Sequence, residues 1–311
     1  MIIRKPISTD VNNIITLIQL SLGETKIKKS QKNWNYKHVD NPFGVSPVLL
    51  AEENDMLVGV RAFMCWKWQI NDQVTSAYRA VDTSTHPDFQ GRGIFNKLTL
   101  SALDLIGENG SCFVFNTPND KSRPGYIKMG WKVVGKIKVS IVPTFIYLFL
   151  IIFFKKDSNK ISKSDLQKLC DNNIELLKTK NKYFTPKSFA YLKWRYENNP
   201  LQDYIIVSDS SYYVVMYVKK HKFLKELRIV ECISDKDFKT RLVVRSMILK
   251  YAMKYFCWII TTADKNLFPL SFYGSFGPQL TIRPVACSTG FVQDISSIDN
   301  WNYELGDLEL F

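Results

Sequence analysis

The same group of residue types occurs twice in this chain of 311 residues, and a similar series of predicted elements follows it in both places. The group consists of Trp34, Tyr36, Asn41 and Pro42 in WNYKHVDNP, and of Trp194, Tyr196, Asn199 and Pro200 in WRYENNP. An apolar pair of predicted strands comes next, VLLAEENDMLVGVRAF in the first case and YIIVSDSSYYVVMYV in the second. Two similar series in one chain are typical of duplication, so we expect two halves of related fold, 1–154 and 155–311.

Hydrophobic periodicity predicts alternating helices and strands in the first half. Apolar residues recur at helical spacing over 11–22 and over 94–106, whereas PVLLAEE, MLVGVRAFMCWKW, TSAYRAVDTST and CFVFN are typical strands. A short helix around Tyr126 and a last strand, WKVVGKIKV, follow. In the second half a strand (ELRIVECIS), a helix (LVVRSMILKYAMKYF) and a buried strand (WIITTA) repeat this order. The pattern predicts an α/β or α+β fold, with a mixed central sheet flanked by helices in each half.

Charge and cysteine usage restrict the class of partner. The 42 Lys and Arg residues exceed the 29 Asp and Glu residues, and the formal net charge of +13 favours anionic partners. The basic residues are scattered without an interleaved aromatic stripe, so we do not expect nucleic-acid binding. Six well separated cysteines and three histidines match no common metal-site spacing, so no metal is expected. Isolated thiols and the lack of an N-terminal apolar run predict a cytoplasmic location.

The segment 139–154 (VSIVPTFIYLFLIIFF) contains no charged residue, and a pair of lysines flanks it on either side. It is interrupted by Pro143 and is shorter than the roughly 20 residues of a membrane-spanning helix. Two interpretations stay open. The segment is a strand followed by a buried linker helix, or it lies in a membrane interface where its lysines meet anionic head groups. The second interpretation places the protein peripherally at the inner face of a membrane.

The sequence FQGRG, from Phe89 to Gly93, lies between a predicted strand and a predicted helix. Glycines let the backbone approach a ligand closely, and the first N–H groups of the following helix lack intrahelical partners. Such a helix N-terminus is suited to binding phosphate, and Arg92 can add a charged hydrogen bond. A tight strand-to-helix turn with nothing bound explains the glycines equally well.

The residues around this loop resemble a known family. THPDFQGRGIF is similar to the acyl-CoA-binding motif of the GNAT N-acetyltransferases, Gln/Arg-x-x-Gly-x-Gly/Ala, with Gln90 and Gly93 in matching positions. Phe95 stands where the family usually has Gly or Ala, and its side chain can point into the core. Ahead of the loop, TSTHP occupies the place of the family strand whose main chain pairs with the pantetheine arm. Asn119 and Tyr126, in NTPNDKSRPGYIKMGWKVVG, match the family's Asn…Tyr-x-Lys-x-Gly-Phe run.

The resemblance implies a GNAT fold, acetyl-CoA as co-substrate and one working site in the first half. The residues that it implies for acetyl-CoA binding are Thr83, Ser84, Thr85, Gln90, Gly91, Arg92, Gly93, Ile94, Phe95, Asn119 and Tyr126. The corresponding loop of the second half, SDKDFKTR over 234–241, contains no glycine. We therefore expect a degenerate copy of the site there.

In this family an acetyl group passes directly from acetyl-CoA to an amine, which requires a base for the ammonium and an acid for the departing thiolate. Tyr126 occupies the position of the family's thiolate-protonating tyrosine. The glutamate base of some members corresponds to Arg79, which cannot accept a proton. Asp82 is nearby but, by strand alternation, on the opposite face unless a bulge re-aims it. Asp82, His86, a water chain and an amine that arrives deprotonated all stay open.

Three functions remain open from the sequence. The first is an acetyl-CoA-dependent N-acetyltransferase acting on a small-molecule amine. The second is a non-catalytic CoA-binding or GNAT-like module, and the third is an aminoacyl or acyl transferase at a membrane surface. The C-terminal NWNYELGDLELF resembles the ending of two-half GNAT proteins encoded beside polysaccharide-assembly genes, which implies an amino-sugar acceptor, nucleotide-linked or lipid-linked. The sequence does not indicate an oligomeric state.

Overall fold

The computed structural model describes residues 1–23, 29–147, 161–235 and 237–308. The strands are β1 (Ile2–Arg4), β2 (Val48–Glu53), β3 (Met56–Ile70), β4 (Gln73–Thr85), β5 (Cys112–Asn116), β6 (Lys132–Lys136), β7 (Val139–Pro143), β8 (Ile205–Asp209), β9 (Tyr212–Lys220), β10 (Lys225–Ser234), β11 (Ile259–Thr262), β12 (Phe272–Gly274) and β13 (Gln279–Val285). The helices are α1 (Val11–Leu22), α2 (Gln31–His38), α3 (Ile94–Gly107), α4 (Arg123–Lys128), α5 (Lys163–Lys178), α6 (Phe189–Leu192), α7 (Phe238–Lys254), α8 (Thr289–Ile295) and α9 (Leu305–Leu308). Helix α6 continues directly into a π-helical turn, Lys193–Glu197.

These strands form two mixed sheets. The first has the order β1-β2-β3-β4-β5-β13-β6, and the second has the order β12-β7-β11-β10-β9-β8. Strand β4 is parallel to β5, and β10 is parallel to β11. A parallel pair needs a crossover connection, and helices α3 and α7 supply it. The predicted α/β fold of mixed sheets flanked by helices is confirmed.

The two sheets exchange strands, so they do not follow a division of the chain at residue 154. Strand β7 pairs with β11 in the second sheet, and β13 lies between β5 and β6 in the first. The single strand predicted over WKVVGKIKV is wrong, because β6 ends at Lys136 and β7 begins at Val139. Between them Ile137 is buried, and its amide donates to the carbonyl of Pro278 at 2.9 Å. The chain crosses from one sheet to the other at this residue.

Helices cover both faces of the first sheet. On one face Ile14 of α1 packs with Val60 and Ala62 of β3. On the other face Leu98 of α3 packs with Phe63 of β3. All five side chains are at most 1% exposed, and burial of one large apolar side chain contributes about 1.5–3 kcal/mol. Two covered faces leave the ends of the strands and the loops as the places where a ligand can enter.

The two Trp-x-Tyr groups that recur in the sequence pack against each other. The rings of Tyr36 and Trp194 stack with centroids 5.2 Å apart. The indole Nε1 of Trp194 donates to the carbonyl of Tyr36 at 2.8 Å, and the Tyr36 hydroxyl donates to the carbonyl of Arg195 at 3.3 Å. Trp34 is buried as well. These aromatic residues therefore join the two parts of the chain.

A buried charge cluster ties helix α9 to the second sheet. Lys187 Nζ lies 2.5 Å from Glu231 Oε2 and 3.2 Å from Asp307 Oδ1, and all three side chains are at most 4% exposed. Burial by itself would lower the pKa of Lys187, but Asp307 and Glu231 outweigh it and raise the pKa above the usual range of lysine. Lys187 therefore stays charged inside the protein, held chiefly by Asp307, whereas burial raises the pKa of Glu231 despite the lysine beside it.

The uncharged segment 139–154 is only partly described. Its first five residues are strand β7, in which Val142 is fully buried, so the predicted strand is confirmed. Residues 144–147 form a short helical turn, and 148–154 lie outside the described residues. The membrane interpretation of this segment thus concerns residues that follow β7. No helix within the described ranges is long and apolar enough to cross a membrane.

Candidate active site

The FQGRG loop enters helix α3 through two glycines in the left-handed region. Gly91 has a φ of 79° and Gly93 a φ of 75°, which residues with side chains rarely adopt. A Cβ atom at either position would contact nothing within 4 Å, so the space in front of this backbone is open. Gly93 is the N-cap of α3, and its carbonyl accepts from the Lys97 amide at 3.0 Å. The amides of the first turn have no intrahelical acceptor and suit a phosphate.

The polar side chains of the FQGRG loop form long hydrogen bonds with neighbouring residues. Arg92 lies over the ring of Phe89, and its Nη1 is 3.4 Å from the Glu53 carboxylate. The side-chain amide of Gln90 donates to the carbonyl of Thr85 at 3.4 Å. Hydrogen bonds at this length are weak, so Arg92 can turn toward an anionic ligand at little energetic cost.

Strand β4 extends beyond its partner β5 beside the loop. The two strands pair as far as Arg79 and Phe115, and β5 ends at Asn116 whereas β4 runs on to Thr85. Within the described ranges, no strand therefore neighbours Thr83–Thr85 on the β5 side. An extended ligand can pair with such a strand edge through main-chain hydrogen bonds.

Two predicted binding residues point inward. The side chains of Ser84 and Ile94 are 4% and 2% exposed, so only their backbone groups can reach a ligand. His86 marks the end of β4, where its amide donates to the Val58 carbonyl at 2.9 Å and its Nδ1 accepts from the Asp88 amide at 3.3 Å. His86 thus shapes the start of the loop.

A β-bulge in β4 turns Asp82 toward helix α2. The register against β3 shifts here, so that Asp82 and Thr83 together oppose Arg61. Asp82 has a φ of 42°, which is rare for a residue other than glycine inside a strand. Its carboxylate contacts Lys37 and His38 of α2, whereas the Thr83 hydroxyl accepts from Arg61. Strand alternation alone would direct Asp82 to the opposite face, and this bulge re-aims it.

The Asp82 carboxylate is engaged by two residues of α2. It accepts from the ammonium of Lys37 and lies 2.8 Å from Nε2 of His38, whose Nδ1 lies 2.9 Å from the Ser46 hydroxyl. Burial by itself would raise the pKa of Asp82, but the Lys37 charge and the His38 hydrogen bond hold it well below the usual range. Burial lowers the pKa of His38, so its imidazole is neutral. An ionised carboxylate with a low pKa is a weak base, so these contacts favour a role for Asp82 in holding the bulge.

Tyr126 of helix α4 places its hydroxyl beside β4. Its oxygen accepts from Nη1 of Arg61 at 3.0 Å, and the same nitrogen donates to Thr83. Because Arg61 uses a lone pair of the phenol oxygen, the hydroxyl hydrogen remains to donate in another direction. Arg61 is fully buried, 4.6 Å from the Phe63 ring centroid, and its Nε and Nη2 have no hydrogen-bond partner in the described part of the chain.

The remaining two predicted residues shape α4 and its surroundings. Phe95 packs edge-on against the Tyr126 ring with centroids 5.7 Å apart, so its bulk is directed to α4 and leaves the loop open. The Asn119 side-chain oxygen accepts from the amides of Lys121 and Ser122 at 3.1 and 2.9 Å, which organises the turn before α4. The Gly-to-Phe departure from the family motif is thereby accommodated.

The position of the family's glutamate base is structural in this chain. Arg79 is buried, and its guanidinium donates to the carbonyls of Asp307 and Leu308. It therefore anchors α9 against β4.

At the corresponding place in the second half, the start of helix α7 lacks the glycines and the open N-terminus of the FQGRG loop. Helix α7 is capped by Asp237, whose carboxylate accepts from the Thr240 amide at 2.9 Å. This hydrogen bond lowers the pKa of Asp237 and keeps a negative charge where α3 offers bare amides. An anion would be repelled at this helix end, in keeping with the glycine-free sequence there.

Sequence reasoning missed three residues of the site. Arg61 carries a signal, since it is a single charge inside the apolar run LVGVRAFM, and an isolated charge in a buried strand often serves function. Lys37 and His38 carry no comparable signal, because only the fold brings α2 to the bulge. No group of three or more His, Cys, Asp or Glu side chains in the described ranges could hold a metal ion.

Comparisons with known proteins show which family and which solved structures the chain resembles. Residues 3–134 match the family described as the acetyltransferase (GNAT) domain. No curated protein matches the chain in sequence. Among solved structures, the chain is similar to a GCN5-related N-acetyltransferase from Kribbella flavida, with 10% identity over 92% of this chain and 71% of that one and a TM-score of 0.69. A GCN5-related N-acetyltransferase from Anabaena variabilis shows 12% identity over 91% and 72%, with a TM-score of 0.66.

A third structure is the Saccharomyces cerevisiae N-myristoyltransferase with bound myristoyl-CoA. Its identity is 10% over 92% of this chain and 82% of that chain, and its TM-score is 0.55. Identities this low show the fold and not the substrate. Residues 3–134 therefore match a GNAT acetyltransferase domain, and the chain as a whole has a fold similar to that of the GCN5-related N-acetyltransferases.

Proposed function

We propose that this protein transfers an acyl group, by default acetyl, from acyl-CoA to the amine of a small molecule. The observation that carries the proposal is the bridge made by Arg61, which links the unpaired edge of β4 at Thr83 to the hydroxyl of Tyr126. That edge continues into the glycine-flanked N-terminus of α3. A phosphate-binding helix end, a strand edge and a proton donor thus lie in one continuous site.

The residues present fit acyl-CoA. The backbone amides from Gly91 to Phe95 hold the pyrophosphate at the N-terminus of α3, with Arg92 adding its charge. The edge of Thr83–Thr85 pairs with the pantetheine arm. Gln90 and Asn119 flank the site through the loop and the turn before α4. The open space at both loop glycines supports this assignment, since a side chain there would fill the cradle.

Acyl-CoA supplies a thioester, whose carbon–sulfur bond is exchanged for the carbon–nitrogen bond of an amide. Tyr126 donates its hydroxyl proton to the sulfur as the carbon–sulfur bond breaks, and it takes up a proton from solvent afterwards. Arg61 positions the phenol by donating to its oxygen. A backbone amide of Thr83–Thr85 donates to the carbonyl oxygen where negative charge develops.

The amine must lose one proton, and Asp82 is poorly suited to accept it. Lys37 and His38 already satisfy its carboxylate. We propose that Asp82 positions the bulge. The acceptor arrives as the free amine, or as an ammonium that first gives one proton to water, and the proton that the nitrogen loses as the carbon–nitrogen bond forms also passes through water to solvent. The acceptor class that we propose is an amino sugar, on the strength of the C-terminal sequence resemblance alone.

Titration calorimetry with coenzyme A and acetyl-CoA tests the binding part. Gly93→Asp and Gly93→Asn form a matched pair, because both side chains tolerate a positive φ and only aspartate adds a charge. We expect Gly93→Asn to bind acetyl-CoA at least about tenfold more tightly than Gly93→Asp, since a carboxylate repels pyrophosphate. Lys239→Asp at the first turn of α7 is the control and should bind as the wild type does.

Thiol release from acetyl-CoA, measured with amino sugars, nucleotide-linked amino sugars, polyamines and peptides, tests the transfer part. Release that depends on one amine class supports the proposal and identifies the acceptor. Absence of acetyl-CoA binding would sink the proposal. Binding without release for any amine would assign the protein to the non-catalytic modules.

A further inference from the structure

One end of the second sheet exposes large apolar side chains far from the candidate active site. Phe223 is 87% exposed, Phe256 77%, Phe145 68%, Trp258 68% and Leu270 62%. We call these five residues the basal patch. Single exposed apolar residues are common on protein surfaces, but several large ones gathered at one end of a sheet indicate an interaction site.

Hydrogen bonds along the strand ends place the residues of the basal patch at the same end of the sheet. The Thr144 amide, next to Phe145, donates to the carbonyl of Trp258 at 3.0 Å, and the Trp258 amide donates to the carbonyl of Lys225 at 3.0 Å. Lys225 in turn extends over the ring of Phe256 and pairs with Lys220 across the β9–β10 hairpin that carries Phe223 at its tip. The Leu270 amide donates to the Tyr147 hydroxyl at 2.5 Å, which brings Leu270 to the same end.

Lysines dominate the exposed charge of this end, because the adjoining carboxylate of Glu226 is only 3% exposed and contacts His221 and Arg228. Four segments build this end, namely 143–147, 219–225, 253–258 and 268–272, and together they contain five lysines and no Asp or Glu. Of these lysines Lys220, Lys222 and Lys254 are exposed. Aromatic rings with interspersed lysines fit the interface of an anionic bilayer, where rings enter the head-group region and ammonium groups meet phosphate. Two copies of this end facing each other would repel.

Two further features favour a lipid surface. The chain continues from Tyr147 into LFLIIFF and then Lys155 and Lys156, so the sequence that leaves the basal patch is apolar and ends in positive charge. Beside Phe223, a groove of about 670 Å³ is lined mainly by apolar side chains such as Ile141 and Ile259, with Lys222, Glu226 and Arg228 among its polar lining. A groove of that size and lining suits an acyl chain.

We propose that the protein docks on anionic membrane surfaces through the basal patch and its lysines. The proposal does not depend on acyl transfer, because none of these residues belongs to the candidate active site. It places one end of the second sheet against the bilayer. It also differs from a membrane role for β7, in which Val139, Ser140 and Val142 are buried within the second sheet.

Vesicle flotation of the full chain tests the proposal. The probes are phosphatidylcholine vesicles with and without phosphatidylglycerol, at about 0.1 M and about 0.5 M salt, which differ in screening length. We expect flotation with the anionic vesicles at the lower salt and its loss at the higher salt. Lys220→Gln, Lys222→Gln and Lys254→Gln together should lower partition roughly hundredfold, from about 1 kcal/mol for each lysine near the surface.

The matched control removes the same charge elsewhere on the surface, by Lys132→Gln, Lys168→Gln and Lys239→Gln together. These lysines are exposed and lie outside the patch segments, so this variant should float as the wild type does. Trp258→Ser with Phe223→Ser should also abolish flotation, while Phe238→Ser, which changes a ring 73% exposed at the start of α7, should not.

Equal flotation of the patch and control variants would overturn the proposal, and so would failure of the wild-type protein to bind anionic vesicles. Light scattering after size-exclusion chromatography detects a third outcome, in which the basal patch joins two copies of the chain. A dimer that Trp258→Ser dissociates, without vesicle binding by the wild type, would assign the basal patch to a second copy. Circular dichroism of each variant establishes that the chain is folded.

Discussion

Replacing Arg61 with methionine separates catalysis from stability at the candidate site. The wild-type guanidinium is fully buried, and no carboxylate in the described ranges forms an ion pair with it. Removing an ion from water costs several kcal/mol, and the hydrogen bonds to Tyr126 and Thr83 offset this at about 1.5–3 kcal/mol each. The ring of Phe63 adds up to about 2 kcal/mol of cation–π attraction. Because these contributions nearly cancel, we expect Arg61→Met to change the free energy of unfolding by less than about 2 kcal/mol.

Activity should respond much more strongly than stability. If the Arg61 hydrogen bond orients Tyr126 in the transition state, its loss raises the barrier by about 1.5–3 kcal/mol. That corresponds to a decrease in kcat of roughly 10- to 150-fold. The decrease should appear in kcat and in kcat/KM alike, because the interaction acts on the reacting group and not on substrate binding.

A double-mutant cycle with Tyr126→Phe provides the decisive assay. Tyr126→Phe alone should lower kcat by about 10²- to 10⁴-fold in the thiol-release measurement. Adding Arg61→Met to Tyr126→Phe should lower kcat by less than about threefold, since the group that Arg61 positions is already absent. Urea denaturation of every variant reports stability beside activity. Equal effects of Arg61→Met in the two backgrounds would refute the positioning role, and so would an unchanged kcat.

Three further outcomes follow from charges and caps in the fold. Lys187→Met should lower the free energy of unfolding by about 3–5 kcal/mol in urea denaturation, because Glu231 and Asp307 then lack a cation in a buried environment. A decrease of less than about 1 kcal/mol would contradict the stabilising role of this cluster. Burial lowers the pKa of His38, so the unfolded chain binds that proton more tightly, and stability should fall as pH drops below about 6.5. His38→Asn should weaken that dependence in denaturation curves at stepwise lower pH, and an unchanged slope contradicts it. Asp237→Ala should lower the free energy of unfolding in urea denaturation through loss of the α7 cap and leave acetyl-CoA affinity in calorimetry unchanged; weaker binding would argue for a second site.

Several parts of the fold follow from local pattern. The helix that begins at Ile94 has its apolar residues at four-residue spacing, and the structure confirms it over Ile94–Gly107. The strand end and glycine loop before it are equally local, because a positive φ is inexpensive only for glycine. The β-bulge at Asp82 could be named as a requirement, although its presence depends on the pairing of β4 with β3.

Other parts could not be read from neighbouring residues. The prediction of one strand over WKVVGKIKV was wrong because both pieces have strand composition, and only their partners distinguish them. One piece pairs with β13, which lies more than a hundred residues away in sequence, and the other pairs with β11. Such pairing depends on which edges remain available after the rest of the chain has folded.

The sequence by itself determined the strands β2 to β5, the helix α3 and the glycine loop before it, because periodicity and glycine conformation act over a few residues. The tertiary structure alone decided that Arg61 meets Tyr126, and that Lys37 and His38 hold Asp82 in a left-handed conformation. It alone gathered the lysines and aromatic rings of four separate segments into the basal patch. Contacts between distant parts of a chain depend on sheet order and strand exchange, and no local pattern in a single sequence records these.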